Sequence, residues 1–212
     1  MRINLTNFNS NCEIKMPHRV CPVWVGYLLA SPIRKLIQNP QRIIGPYVKP
    51  GMKVMDIGSA MGFFSLPMAQ LVGANGRVVC VDLQAKMLGR LTRRAQRAGL
   101  TDRIETRICT AESLGVEDLI GQIDFALAFA IVHEVPDADH FLKEITSLLK
   151  DGGQLLIAEP KGHVSQAKFR ETITMAENVG LRNTDSPRIQ RTHAVLMEKL
   201  AGGLGPRKSI DE

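Results

Sequence analysis

The sequence predicts an α/β fold: a Rossmann-like, doubly wound sheet of seven mostly parallel strands, closed at one edge by an antiparallel C-terminal hairpin strand. Three observations lead there. From residue 53 onward, short β-rich runs alternate with segments of helical period, the rhythm of strand–helix–strand units. QIDFALAFA (122–130) is an almost unbroken apolar run, as expected of a strand covered on both faces. A turn of small residues, Asp56-Ile57-Gly58-Ser59-Ala60-Met61-Gly62, joins the first strand to a helix, at the kind of edge where open sheets bind ligands.

The elements follow in order. Residues 1–46 are expected to form a polar N-terminal segment and then a helical lid. Within it, Pro32, Pro40 and Pro46 break two short apolar helices, Ser31 and Asn39 stand as caps before Pro, and Trp24 and Tyr27 supply aromatic surface. The main domain spans 47–200. Its strands are KVMDIG (53–58), GRVVCVD (76–82), RIETRI (103–108), QIDFALAFA (122–130) and QLLIAEP (154–160). Helices are expected over 65–72, 85–98, 137–149 and 165–179, with a short helix or turn over 111–119. The helix over 137–149 should end at Asp151-Gly152-Gly153. LRNTDSPRI (181–189) and THAVLMEKL (192–200) pair as the closing hairpin, and 201–212 is a frayed tail.

Composition narrows the function. The chain has 212 residues and 44% apolar residues, enough for one domain with a real core. No apolar run approaches the ~18 residues of a membrane span, and the N-terminus carries no secretory pattern. A cytoplasmic setting is therefore expected. Cys80 lies inside one strand-like run and Cys109 follows another, so both read as buried small hydrophobes. Cys12 and Cys21, with His18 between them, fit no zinc spacing, so no metal is expected. The net charge is +6, part of it in a row of Arg90, Arg93, Arg94 and Arg97 on one helix. That row reads either as a solvated face or as a surface for nucleic acid. With only 5% aromatic residues and none interleaved in the row, nucleic acid is not favoured.

The turn after the first strand excludes two nucleotide patterns. A GxxxxGK[ST] loop needs Lys-Ser or Lys-Thr where Phe63-Phe64 stands, and a GxGxxG fingerprint needs a small residue at 63. The pattern [DE]xGxGxG remains: Asp56, Gly58 and Gly62 match it, with Ala60 in the middle position. Ala60 adds one methyl, at a penalty of about 1 kcal/mol if its φ is positive.

Here the chain resembles the class I S-adenosylmethionine-dependent methyltransferases. The resemblance covers residues 47–200. Each motif is degenerate alone, but their order and spacing together are specific. It implies that S-adenosyl-L-methionine is the cofactor, with its methionine end wrapped by Asp56, Gly58, Ser59, Ala60, Gly62 and Phe63. Asp82, 24 residues beyond Gly58, would accept both ribose hydroxyls. The same logic serves nicotinamide enzymes, and Asp is also a common helix cap. Leu83 and Met87 would flank the cofactor. CTAESL (109–114) resembles the family segment that meets adenine. Thr110 stands where an acid is frequent, which passes that contact to Ala111 or Glu112. IDFALAFAIVHEVPD (123–137) resembles the family's fourth strand and its exit loop, where backbone near Phe129 would lie beside the methyl-bearing sulfur.

Methyl transfer needs alignment first and a base only where the nucleophile carries a proton. His133 and Glu159 are the catalytic candidates, with Glu134, Lys161 and His163 nearby on the same exit loops. The [ND]PP[YF] run of the amine-methylating branches is absent, and the few insertions favour a small-molecule acceptor. Two other readings stand beside this one: an RNA-modifying methyltransferase using the arginine row, and an S-adenosylmethionine-binding protein without transfer activity. A nicotinamide oxidoreductase is disfavoured by Phe63 and Asp56.

Overall fold

The computed structural model describes residues 38–202. The expected lid helices with Trp24 and Tyr27, the Cys12–Cys21 pair and most of the expected tail lie outside the described residues. The first element is α1 (Pro40–Ile44), capped by the Asn39 side chain on the Arg42 amide. The alternating elements follow: β1 (Lys53–Ile57), α2 (Ser65–Leu71), β2 (Arg77–Asp82), α3 (Ala85–Arg97), β3 (Ile104–Ile108) and β4 (Ile123–Phe129). The rest are α4 (Ala138–Leu148), β5 (Leu149–Pro160), α5 (Gln166–Asn178), β6 (Leu181–Asp185) and β7 (Thr192–Lys199).

All seven strands form one sheet in the order β3-β2-β1-β4-β5-β7-β6. The pairs from β3 through β5 are parallel, and β7 runs antiparallel between β5 and β6. The chain steps outward from β1 to β3, then returns to lay β4 on the other side of β1. That reversal opens a crevice beyond the C-terminal ends of β1 and β4.

Period-two alternation sends side chains to two cores. Val54, Cys80, Phe125 and Leu127 face α2 and α3, meeting Met68, Leu88 and Leu91. Met55, Val79, Ala126 and Ile157 face α4 and α5, meeting Leu142, Ile145 and Phe169. Both faces being covered explains the apolar run of β4. Tyr47, just beyond α1, stacks on Phe125 with ring centroids 5.8 Å apart and closes the first core.

One boundary differs from expectation. The strand expected at 154–160 begins at Leu149, directly where α4 ends, and Leu149 pairs with Ile123. The Asp151-Gly152-Gly153 signal is a bulge inside the strand, not a loop before it. A Cβ at Gly153 would stand 2.8 Å from the Lys150 carbonyl oxygen and 2.9 Å from that of Ile123, so only glycine lets the backbones close there. The stretch expected as a helix or turn over 111–119 is a turn at Thr110–Ser113, followed by a single 3₁₀ turn, Glu117–Leu119.

Candidate active site

The loop from β1 to α2 winds through left-handed backbone at Gly58, Ala60 and Gly62, with φ of 71°, 46° and 80°. It extends the sheet: the amides of Gly58 and Ser59 both donate to the Val81 carbonyl, at 2.9 and 3.1 Å. A Cβ on Gly62 would lie 3.0 Å from Leu91 Cγ, so glycine is needed where the loop crosses α3. Ala60 keeps its methyl and occupies the left-handed region. Asp56 is 3% exposed and accepts the Ser65 hydroxyl at 2.5 Å, which fixes the carboxylate against the start of α2. Ser59 Oγ is buried and, among the described residues, has no hydrogen-bond partner. A buried hydroxyl without a partner is unfavourable by about 1–3 kcal/mol, unless a ligand completes it.

Asp82 joins two loops. One carboxylate oxygen accepts the Ala60 amide at 2.9 Å, the other the Gln84 amide at 2.8 Å. Burial raises its pKa above the ordinary 3.8, opposed by those two amides. An ionised carboxylate offers about four lone-pair sites, so two amides leave acceptor capacity on the cavity side. Leu83 is 43% exposed beside it, and Met87 is buried beneath.

Beyond β3, Cys109 runs parallel to Asp82, its amide donating to the Asp82 carbonyl at 3.2 Å. The Thr110 hydroxyl then accepts the amides of Glu112 and Ser113, turning the chain so that Ala111 and Glu112 stand exposed at the cavity rim. Glu144 of α4 accepts Ser113 Oγ at 2.7 Å and the Leu114 amide at 2.9 Å, anchoring this loop. Burial pushes the Cys109 thiol up to about 11.

The exit of β4 carries Phe129, in contact with Phe64 at 4.8 Å between centroids, then Ala130 at φ 57°. The 3₁₀ turn Val132–Glu134 follows. His133 Nδ1 hydrogen-bonds the carboxylate of Glu159, whose other oxygen accepts the Val132 amide at 2.8 Å. The Glu159 bond raises the His133 pKa above 6.5, against partial burial. Burial also raises the carboxyl of Glu134. His163 meets His133 edge-on with centroids 5.6 Å apart.

These groups line one cavity of about 980 Å³ at the C-terminal edge of the sheet. It brings together Asp56, Gly58, Ser59, Ala60, Phe63, Asp82, Leu83, Met87, Ala111, Glu112, Phe129 and His133. Gly62 supports the loop from below. Glu159 is 1% exposed and does not line the cavity. Its two oxygens meet the Val132 amide and His133, which puts this catalytic candidate behind the cavity wall and His133 on it.

Sequence reasoning missed three supports: Ser65 on Asp56, Glu144 on the loop after β3, and Arg94. The Arg94 guanidinium turns off its helix face and donates to the Met61 carbonyl of the glycine loop, half-buried, and desolvation lowers its pKa. The arginine row is therefore not a uniform solvated face. All three contacts join residues distant in sequence or opposite to the expected face, and no local pattern carries them. Among the described residues, no cluster of His, Cys, Asp and Glu is built to hold a metal ion, and no helix is long and apolar enough to cross a membrane.

Comparison with known proteins gives the family and the fold. Residues 48–199 match the family model described as methyltransferase domain. The chain is 35% identical over 112 residues to the ubiquinone/menaquinone biosynthesis C-methyltransferase UbiE of Cellvibrio japonicus, covering 53% of this chain and 44% of that one. It is 33% identical over 122 residues to an arsenite methyltransferase of Aquipseudomonas alcaligenes, covering 55% and 35% respectively. The chain thus spans less than half the length of these curated relatives. A solved S-adenosylmethionine-dependent methyltransferase from Aquifex aeolicus superposes with a TM-score of 0.75 at 21% identity, covering 85% of this chain and all of that one, which speaks to fold. With the family model spanning most of its length, from before β1 to the end of β7, the chain belongs to the methyltransferase domain family.

Proposed function

We propose that this chain is an S-adenosylmethionine-dependent methyltransferase acting on a small-molecule acceptor whose nucleophilic atom carries a proton. The observation that carries the reading is Asp82, a buried carboxylate tied to two loops with acceptor capacity left toward the cavity. Paired ribose hydroxyls suit that capacity. The residues fit the cofactor on a second count: Ser59 Oγ is an orphaned hydroxyl within the loop that would wrap the methionine end. Asp56, Gly58, Ala60 and Phe63 would complete that end, Leu83 and Met87 would flank the adenosine, and Ala111 and Glu112 would border the adenine. When bound, S-adenosylmethionine supplies a methyl group already activated on a sulfonium.

The chain's own contribution is alignment and a proton acceptor. Glu159 holds the Nδ1 proton of His133, which leaves Nε2 as the basic nitrogen. Nε2 then takes the acceptor's proton as the nucleophile attacks. Phe63, Phe64 and Phe129 give the cavity apolar walls.

The test is incubation of the full chain with methyl-tritiated S-adenosylmethionine and a panel of phenols, thiols, amines and heteroaromatic compounds. Label passing to a small acceptor is expected. Tight cofactor binding with no transfer to any of them would favour a non-transferring binding protein, and transfer only to RNA would favour the RNA-modifying reading.

A further inference from the structure

A second recess, of about 600 Å³, lies beside the main cavity, between the turn after β5 and the segment joining β6 to β7. Its charged lining is all of one sign. Lys161, Arg188 and Arg191 contribute cations, His193 stacks on Phe169 at its back, and no Asp or Glu lines it. Among the described arginines, Arg107 pairs with Glu105 and Asp118, and Arg182 with Glu198. Lys161, Arg188 and Arg191 form no ion pair with any described residue.

The backbone around the recess is fixed. The Lys161 amide donates to the Arg191 carbonyl at 3.0 Å, and the Thr192 amide donates to that of Ile189 at 3.2 Å. Arg191 itself sits at φ 58°, a region a long side chain rarely adopts and one that concentrates at functional sites. Arg191 and Thr192 also line the main cavity, so the two spaces share a wall.

We propose that this recess is the subsite for an anionic group, a carboxylate or a phosphate, carried by the methyl acceptor. The inference rests on the reading of the main cavity as a methyl-transfer site and names its substrate class: small acids or phosphomonoesters. Arg191 provides a planar fork that grips such groups through two parallel hydrogen bonds, while Lys161 and Arg188 act as point and flanking charges. The acceptor's reactive atom then lies on the His133 side of the shared wall and its anionic group on the Arg191 side.

The experiment is amide NMR of the full chain titrated with inorganic phosphate and, separately, with benzoate, at constant ionic strength. The same titrations are run on Arg191→Gln and Arg191→Lys, with S-adenosylmethionine affinity measured by calorimetry on each protein. One or both anions should shift Lys161, Arg188 and Arg191 in the wild type. Arg191→Gln should weaken that binding about tenfold, Arg191→Lys should restore part of it, and cofactor affinity should change by less than about twofold. A phosphate preference assigns a phosphorylated acceptor, and a benzoate preference a carboxylate. No shift at these residues, or equal shifts in Arg191→Gln, overturns the subsite. Anion binding here in a chain that fails to bind S-adenosylmethionine would instead sink the methyl-transfer reading and leave the anion site standing.

Discussion

Glu159, at the end of β5, holds His133, in the turn after β4, through one carboxylate oxygen while the other takes the Val132 amide at 2.8 Å. The carboxylate is almost wholly buried and the imidazole lines the cavity. A buried acid behind an imidazole fixes its tautomer and raises its pKa. Because a base must be unprotonated to act, kcat should rise with pH through a value above 6.5. Glu159→Gln should move that limb to lower pH and cut kcat by about 100-fold with little change in KM. A pH–rate profile on both proteins checks this. An unmoved limb would remove His133 from the reaction.

The same pair has a signature in stability. The His133 pKa is raised in the folded chain, so its contribution is fully present below pH 6.5 and is lost as pH rises through the raised value. His133→Gln should therefore destabilise the chain by about 2 kcal/mol at pH 6, with the gap narrowing toward pH 9. Denaturant melts at the two pH values measure it, and a gap that widens with pH would contradict the assignment.

The glycine loop gives a pair of opposed substitutions. Ala60 sits at φ 46°, so Ala60→Gly removes about 1 kcal/mol of backbone strain, partly offset by unfolded-state entropy. Its Tm should rise by about 1–2 °C, with cofactor binding retained. Gly62→Ala meets both a φ of 80° and Leu91 Cγ at 3.0 Å, and should lose about 2 kcal/mol. Thermal melts showing the reverse order would mean that the loop takes another conformation.

Much of this was legible in the sequence, and the limits have physical causes. Period-two and helical patterns located the seven strands of the sheet and most helices, with the start of β5 and the end of β6 shifted, because burial imposes them on neighbouring residues. Asp82 and the turn at 56–62 were legible because the chemistry needs fixed types at fixed positions. Ala60 was ambiguous because composition does not set φ. The start of β5 was misplaced because Gly152-Gly153 serves a bulge as well as a turn. The pairing of Glu159 with His133 spans 26 residues and depends on β5 lying beside β4, which only the assembled sheet fixes. Arg94 looked like its neighbours in the row, and its inward turn follows from where the Met61 carbonyl happens to lie.

We propose that the cavity holds S-adenosylmethionine through Asp82. Calorimetric titration of the wild type and Asp82→Asn, with NAD as control, puts this to the test. S-adenosylmethionine should bind and NAD should not, and the substitution should weaken binding about tenfold or more. Wild-type affinity should also fall on acidification at a pH above the ordinary Asp value of 3.8, because burial raises the Asp82 pKa. No binding, a preference for NAD, or an affinity indifferent to Asp82→Asn would contradict it.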